Sequence, residues 1–179
     1  MIQNIKFIHI LTATLIIDMI FLFIFKIFDG KEKWISINNW YDNLKWTAVL
    51  LDVLSIMIGF YLSIFIYKYL LKNNYIDKNN EFIKFLLILL TVQIIHDFCF
   101  YFFVIKPFHF GKNKVIDEFK SYANIVGINA VIGDSLMYII ATPLLYYFIV
   151  NNSDNINIFI SIICTYLIGY LLYQKPLYI

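Results

Sequence analysis

Thr91-Val-Gln-Ile-Ile-His-Asp-Phe-Cys-Phe-Tyr101 decides how this chain must be read, because it sets Gln93, His96 and Asp97 inside an apolar run from Phe85 to Ile105. At ~1.5 Å rise per residue a helix of that length crosses a bilayer core of roughly 30 Å. Polar groups at such depth are costly, and an ionisable one marks a functional site by default. Three other apolar runs carry one aspartate each, Asp18, Asp52 and Asp134. The chain therefore reads as a membrane bundle organised around an acidic centre.

Composition agrees. Over 179 residues, 61% hydrophobic content and a mean hydropathy of +0.76 lie far above the soluble norm and predict one integral membrane domain. All 14 basic residues are lysines, placed mostly between apolar runs, and the net charge is only +2. That balance excludes a nucleic-acid partner and leaves the lipid bilayer as the expected one. Cys99 and Cys164 both lie inside apolar runs, so neither a disulfide framework nor a cysteine zinc site is expected. The N-terminal run is longer than the roughly 7 to 15 residues of a signal-peptide core and has no small-x-small cleavage site, which predicts a retained helix.

Taken in order, membrane helices are predicted at 7–25, 46–66, 85–105, 128–150 and 156–173, an all-α bundle of five transmembrane helices. The segment Lys26 to Lys45 reads as a polar connection in which Trp34 and Trp40, with Trp46 just beyond, form an interfacial aromatic belt. Ser55, Gly59 and Ser63 recur every four residues in the second helix, and Ser161, Thr165 and Gly169 do so in the fifth. Such small-residue stripes let backbones approach closely and offer a face for a homo-oligomer. Along the fourth helix Gly127, Ala130, Asp134, Tyr138 and Ala141 line one face, and Pro143 predicts a kink. Between the third and fourth, Val115, Ile116, Phe119, Tyr122, Ala123 and Val126 define the apolar face of a short helix at 114–126, suited to the membrane interface or to a cap over the bundle.

Let side A be the face holding the N-terminus. Side B then carries nine lysines against five on side A, which predicts a cytoplasmic side B and a non-cytoplasmic N-terminus. With strand direction alternating, Asp18, Asp52, Asp97 and Asp134 lie seven, six, eight and six residues from the side B ends of their helices. All four fall about 9 to 12 Å below that surface. His96 and Thr165 share the level, no lysine does, and Gln93, Ser55, Ser135 and Tyr138 are polar neighbours.

Four close carboxylates cannot all stay ionised without a cation. A proton or cation path would use them as exchange sites with His96 as relay. A divalent ion held by the layer is the one cofactor the residues could take, and with an imidazole it could activate water. Protonated aspartates could instead serve as hydrogen-bond donors between helices. An enzyme is the less favoured reading. Ser135 lacks the Gly-x-Ser-x-Gly elbow and a base beside it, and no phosphate loop, zinc protease motif or selectivity filter is present.

At Tyr41-Asp-Asn-Leu44, Thr47-Ala-Val-Leu-Leu-Asp-Val-Leu54, His96-Asp-Phe98 and Gly133-Asp-Ser-Leu-Met137 the chain resembles multi-pass membrane proteins of large DNA viruses, over residues 40–173. The resemblance implies a viral or infected-cell membrane. It transfers no catalytic role, since that family has no established activity. Proton- or cation-linked transport is the expectation from the acidic layer, and a structural membrane component of a virion or assembly site is its rival.

Overall fold

The computed structural model describes residues 2–27 and 32–175, apart from the side chains of Gln3, Glu32, Lys33 and Trp34. Seven α-helices account for nearly all of these residues: α1 (Phe7–Ile27), α2 (Glu32–Leu44), α3 (Trp46–Lys72), α4 (Glu81–Phe100), α5 (Lys114–Val126), α6 (Ile128–Asn151) and α7 (Asp154–Leu171). One wider turn, Tyr101–Ile105, continues α4, with the Lys106 amide reaching back five residues to the Tyr101 carbonyl. Among the described residues five helices are long and apolar enough to cross a membrane: α1, α3, α4 with its wide turn, α6 and α7. The chain is an all-α membrane bundle.

Helix α1 is the centre of it, packed against α7, α6, α3 and α2. Its sequence suits that position. Ile10, Ala13, Ile17 and Leu22 are fully buried, and small Ala13 lets neighbours close in. The outer helices present large apolar side chains to the surroundings, among them Phe65, Phe103 and Phe159, as a lipid-facing surface requires. At the α3–α6 crossing, Gly59 faces the Tyr138 ring so closely that a Cβ there would collide with its hydroxyl. The Tyr138 hydroxyl donates to the Ile56 carbonyl at 3.2 Å, fixing the crossing at that level.

Several expected boundaries and roles need correction. Helix α3 runs on to Lys72 and α4 begins at Glu81, so Lys68, Lys72 and Lys84 lie on helices rather than in a loop. The side A connection is thus short, and Asp77 within it pairs with Lys84. Helix α7 ends at Leu171, two residues earlier than expected. Pro143 lies inside a helix that continues through it to Asn151.

The largest correction concerns the segment read as a polar connection. Glu32–Leu44 is a helix, and Trp40 is buried rather than part of an interfacial belt. Ile37, Trp40, Tyr41 and Leu44 follow the i, i+3, i+4, i+7 spacing of one apolar face, and all of them pack into the core or against it. Helix α2 pairs with α5 across side B: Trp40 meets Phe119 edge to face at 5.6 Å, and the Asn43 amide donates to Glu118 at 3.0 Å. Together α2 and α5 form a two-helix cap at the side B end of the spans, a packing compatible with either setting expected for 114–126.

Each cap helix joins a spanning helix through a single residue of unusual conformation. Lys45 (φ 51°, ψ −125°) connects α2 to α3, and Gly127 (φ 58°, ψ −135°) connects α5 to α6. Gly127 adopts that region freely because it lacks a Cβ. Lys45 is held there by its own side chain, whose Nζ donates to the Asp42 carboxylate at 3.1 Å and to the Leu172 carbonyl at 2.9 Å. The same Asp42 oxygen accepts from Lys26 at 2.8 Å, and Lys26 is fully buried at the end of α1.

Candidate functional site

The acidic layer lies where α1, α3, α4 and α6 approach the cap. Asp18 is fully buried on the central helix. Its Oδ1 accepts from the Tyr41 hydroxyl at 3.2 Å, while its Oδ2 has no hydrogen-bond partner. Asp52, half-buried on α3, accepts from the Trp40 indole at 3.2 Å. Asp18 and Asp52 lie within electrostatic range of each other, and Asp134 lies within range of both Asp97 and Asp52. Asp52 is therefore the shared member of the layer.

Two tyrosines from the cap report the same arrangement from outside the spans. Burial pushes the Tyr41 hydroxyl well above its ordinary value of 10.0, and the charges of Asp18 and then Asp52 push it the same way. Burial also raises Tyr122 on α5, with Asp134, Asp52 and Asp97 adding to it in that order. Both therefore stay protonated at any working pH. Tyr41 is a permanent donor to the layer, as the Trp40 indole is by its chemistry.

On the α4 side, Gln93 organises a small network. Its amide nitrogen donates to Asp97 and, at 3.3 Å, to the Val131 carbonyl, while its oxygen accepts from Ser135 at 2.7 Å. Gln93 is buried and thereby ties α4 to α6 beside Asp134. His96 and Asp97 are neighbours and stand about 100° apart around the helix. The ring nevertheless reaches sideways, placing Nδ1 3.2 Å from Asp97 Oδ1 and stacking on Phe100 at 5.8 Å. His96 is exposed, so it stands at the rim of the layer rather than inside it.

The remaining predicted residues separate. Tyr138 is buried and buttresses α3 as described, within electrostatic range of Asp134 and Asp97. Ser55 is exposed and its hydroxyl returns to the Asp52 carbonyl of its own helix at 2.9 Å. Thr165 does not join the layer: it is exposed and bonds the Ser161 carbonyl at 2.8 Å. The small stripe of α7 is correspondingly split, with Ser161 buried against α1 and Gly169 seating the Trp46 ring. Tyr41, Trp40 and Tyr122 were not expected at the site. The helical spacing of 37, 40, 41 and 44 was the available signal for the first two.

Chemically the layer is a set of carboxylates that, among the described residues, accept from neutral donors and from no ammonium group. The buried Lys26 is engaged with Asp42 instead. Among the described residues no group of three or more His, Cys, Asp or Glu side chains is arranged to hold a metal ion. The carboxylates are close enough to sense one another and not clustered as a chelate. No protein-family model matches the chain, and neither a curated protein nor a solved structure is similar to it.

Proposed function

We propose that the protein is a multi-pass membrane transporter or channel-like protein in which Asp18, Asp52, Asp97 and Asp134, with His96 at the rim, take up and pass on protons or small cations. The observation that carries this reading is the combination at Asp18: a fully buried carboxylate within range of a second acid, one of whose oxygens has no partner. A buried carboxylate so placed is stable only with a proton or a cation on it. Asp52 and Asp134 extend the exchange to Asp97, and His96 connects Asp97 to the surface. Side B is the cytoplasmic face on the lysine balance, and the membrane is viral or that of an infected cell on the sequence resemblance.

A structural role in a virion or assembly-site membrane is the rival reading. The Gln93 network favours it, since it already joins α4 to α6 through Ser135 and the Val131 carbonyl while holding Asp97, without any exchange of charge. Flux measurements separate the two. Purified protein in liposomes is expected to conduct protons or a monovalent cation when assayed from about pH 5 to about pH 8. A folded Asp97→Asn variant, which keeps a hydrogen-bonding side chain, is expected to lose that flux. Equal behaviour of variant and wild type, or no flux in either under both membrane polarities, would transfer the layer to the structural role.

A further inference from the structure

A second polar centre lies in the other half of the bundle, and it is neutral. On side A a cleft of about 540 Å³ is lined by Asn4, Lys6, His9, Asn152, Ser153 and Asp154, among others. One helical turn further in on both α1 and α7, the Thr12 hydroxyl sits 2.9 Å from the Ser161 hydroxyl and donates to the Asn157 carbonyl at 3.1 Å. The Asn157 side chain beside them is fully buried, and among the described residues neither its amide nitrogen nor its amide oxygen has a hydrogen-bond partner.

Three residues before Asn157 on the same helix, Asp154 is held in a clamp at the cleft. Lys6 Nζ binds Asp154 Oδ2 at 2.7 Å, and His9 Nε2 faces Asp154 Oδ1 at 3.5 Å. The Lys6 backbone amide donates to His9 Nδ1 at 3.2 Å, which leaves the ring proton on Nε2, toward Asp154. Lys6 and Asp154 are both exposed, so holding them together gains little. Keeping a carboxamide buried with no partner costs more than such a pair supplies. The balance favours parting of the clamp.

We infer that the side A cleft extends inward to Asn157 when the Lys6–Asp154–His9 clamp parts, admitting water or a hydrated small cation to a neutral station made by Asn157, Thr12 and Ser161. Building on the transport reading above, this station is the side A approach to the layer. It ends six residues short of Asp18 along α1, about 9 Å. Ala13, Leu15, Ile17, Cys164 and Ile168, all buried, lie in the interval, and the one buried hydroxyl there on α1, Thr14, is turned back to the Leu11 carbonyl at 3.0 Å.

The test is thiol accessibility in oriented liposomes, using a Cys99→Ser, Cys164→Ala background and a small, charged, membrane-impermeant methanethiosulfonate. Asn157→Cys and Ser161→Cys are expected to be modified from side A alone, at least tenfold faster than the lipid-facing Phe159→Cys. Asp154→Ala in the same background should accelerate both. Should Asn157→Cys not fold, Ser161→Cys carries the comparison. Modification no faster than at Phe159, with the clamp intact or removed, would overturn the inference. Performed also with Asp97→Asn, the experiment separates the two ideas: labelling that persists there without flux in any variant keeps the inlet and removes transport, whereas flux without labelling keeps transport and removes the inlet.

Discussion

The two halves of the bundle treat buried polarity in opposite ways. Toward side B the spanning helices carry four carboxylates, and two extra helices fold over them to deliver the Tyr41 hydroxyl and the Trp40 indole. Toward side A the buried groups are hydroxyls, one carboxamide and the His9 imidazole, and a cleft opens beside them. Charge is retained where dedicated donors surround it; neutral groups are left where water is near. The same helix α1 serves both regimes, bearing Asp18 in one and Thr12 in the other.

The sharpest way to break this comparison is at the cap's ionic anchor. Asp42→Ala would strand the fully buried Lys26 and is expected to cost roughly 2 to 4 kcal/mol, the lower part of the range for a broken buried pair because Asp42 itself is more than a third exposed. Lys26→Met should cost less than about 1 kcal/mol, since Asp42 keeps Lys45. Thermal unfolding in detergent compares them, and equal losses would mean that the anchor is not buried as described.

A smaller pair of changes sharpens the contrast between donors and orphans. Tyr41→Phe removes the one donor that Asp18 has and should destabilise by about 1 to 3 kcal/mol. Asn157→Leu removes a group with no partner and should be neutral or stabilising by up to about 1 kcal/mol. Losses of the same sign in both would show that the halves do not differ in the way proposed.

The smallest effect lies at the side A surface. Asp77 is held below its ordinary value of 3.8, chiefly by the hydrogen bond from Lys84 and next by the Asn79 backbone amide. Its folded value being the lower one, the carboxylate's contribution is complete above the ordinary value and disappears as pH falls through the depressed one. Asp77→Asn should therefore flatten a shallow loss of stability below about pH 4, seen in melting temperature against pH, and leave neutral pH unaffected.

Much of this was readable from the residues, and what was not has a physical cause. Five apolar runs of spanning length announce themselves, because a bilayer imposes one length and one polarity. The level of the aspartates followed from counting along helices of alternating direction. Their grouping did not: residue counting gives depth and no azimuth, so Thr165 seemed to belong and does not. Helix α2 was hidden by Asn38, Asn39, Asp42 and Asn43, which suit an interfacial loop in composition while the apolar residues between them keep helical spacing. His96 and Asp97 met because an imidazole reaches round the helix further than backbone geometry alone suggests.

Lys45 and Gly127 give the cap a mechanical character. One residue separates each cap helix from its span, so two torsions set the angle at which that helix leaves the span, and the Trp40–Phe119 and Asn43–Glu118 contacts hold the two angles together. The two joints differ in stiffness. Lys45 occupies a conformation that strains a side-chain-bearing residue by about 1 to 3 kcal/mol and is latched by Asp42 and by the end of α7. Gly127 carries no such strain, and nothing lies within 4 Å of where its Cβ would be. The softer joint therefore belongs to α5, the helix whose Tyr122 lies within electrostatic range of Asp134 and Asp97.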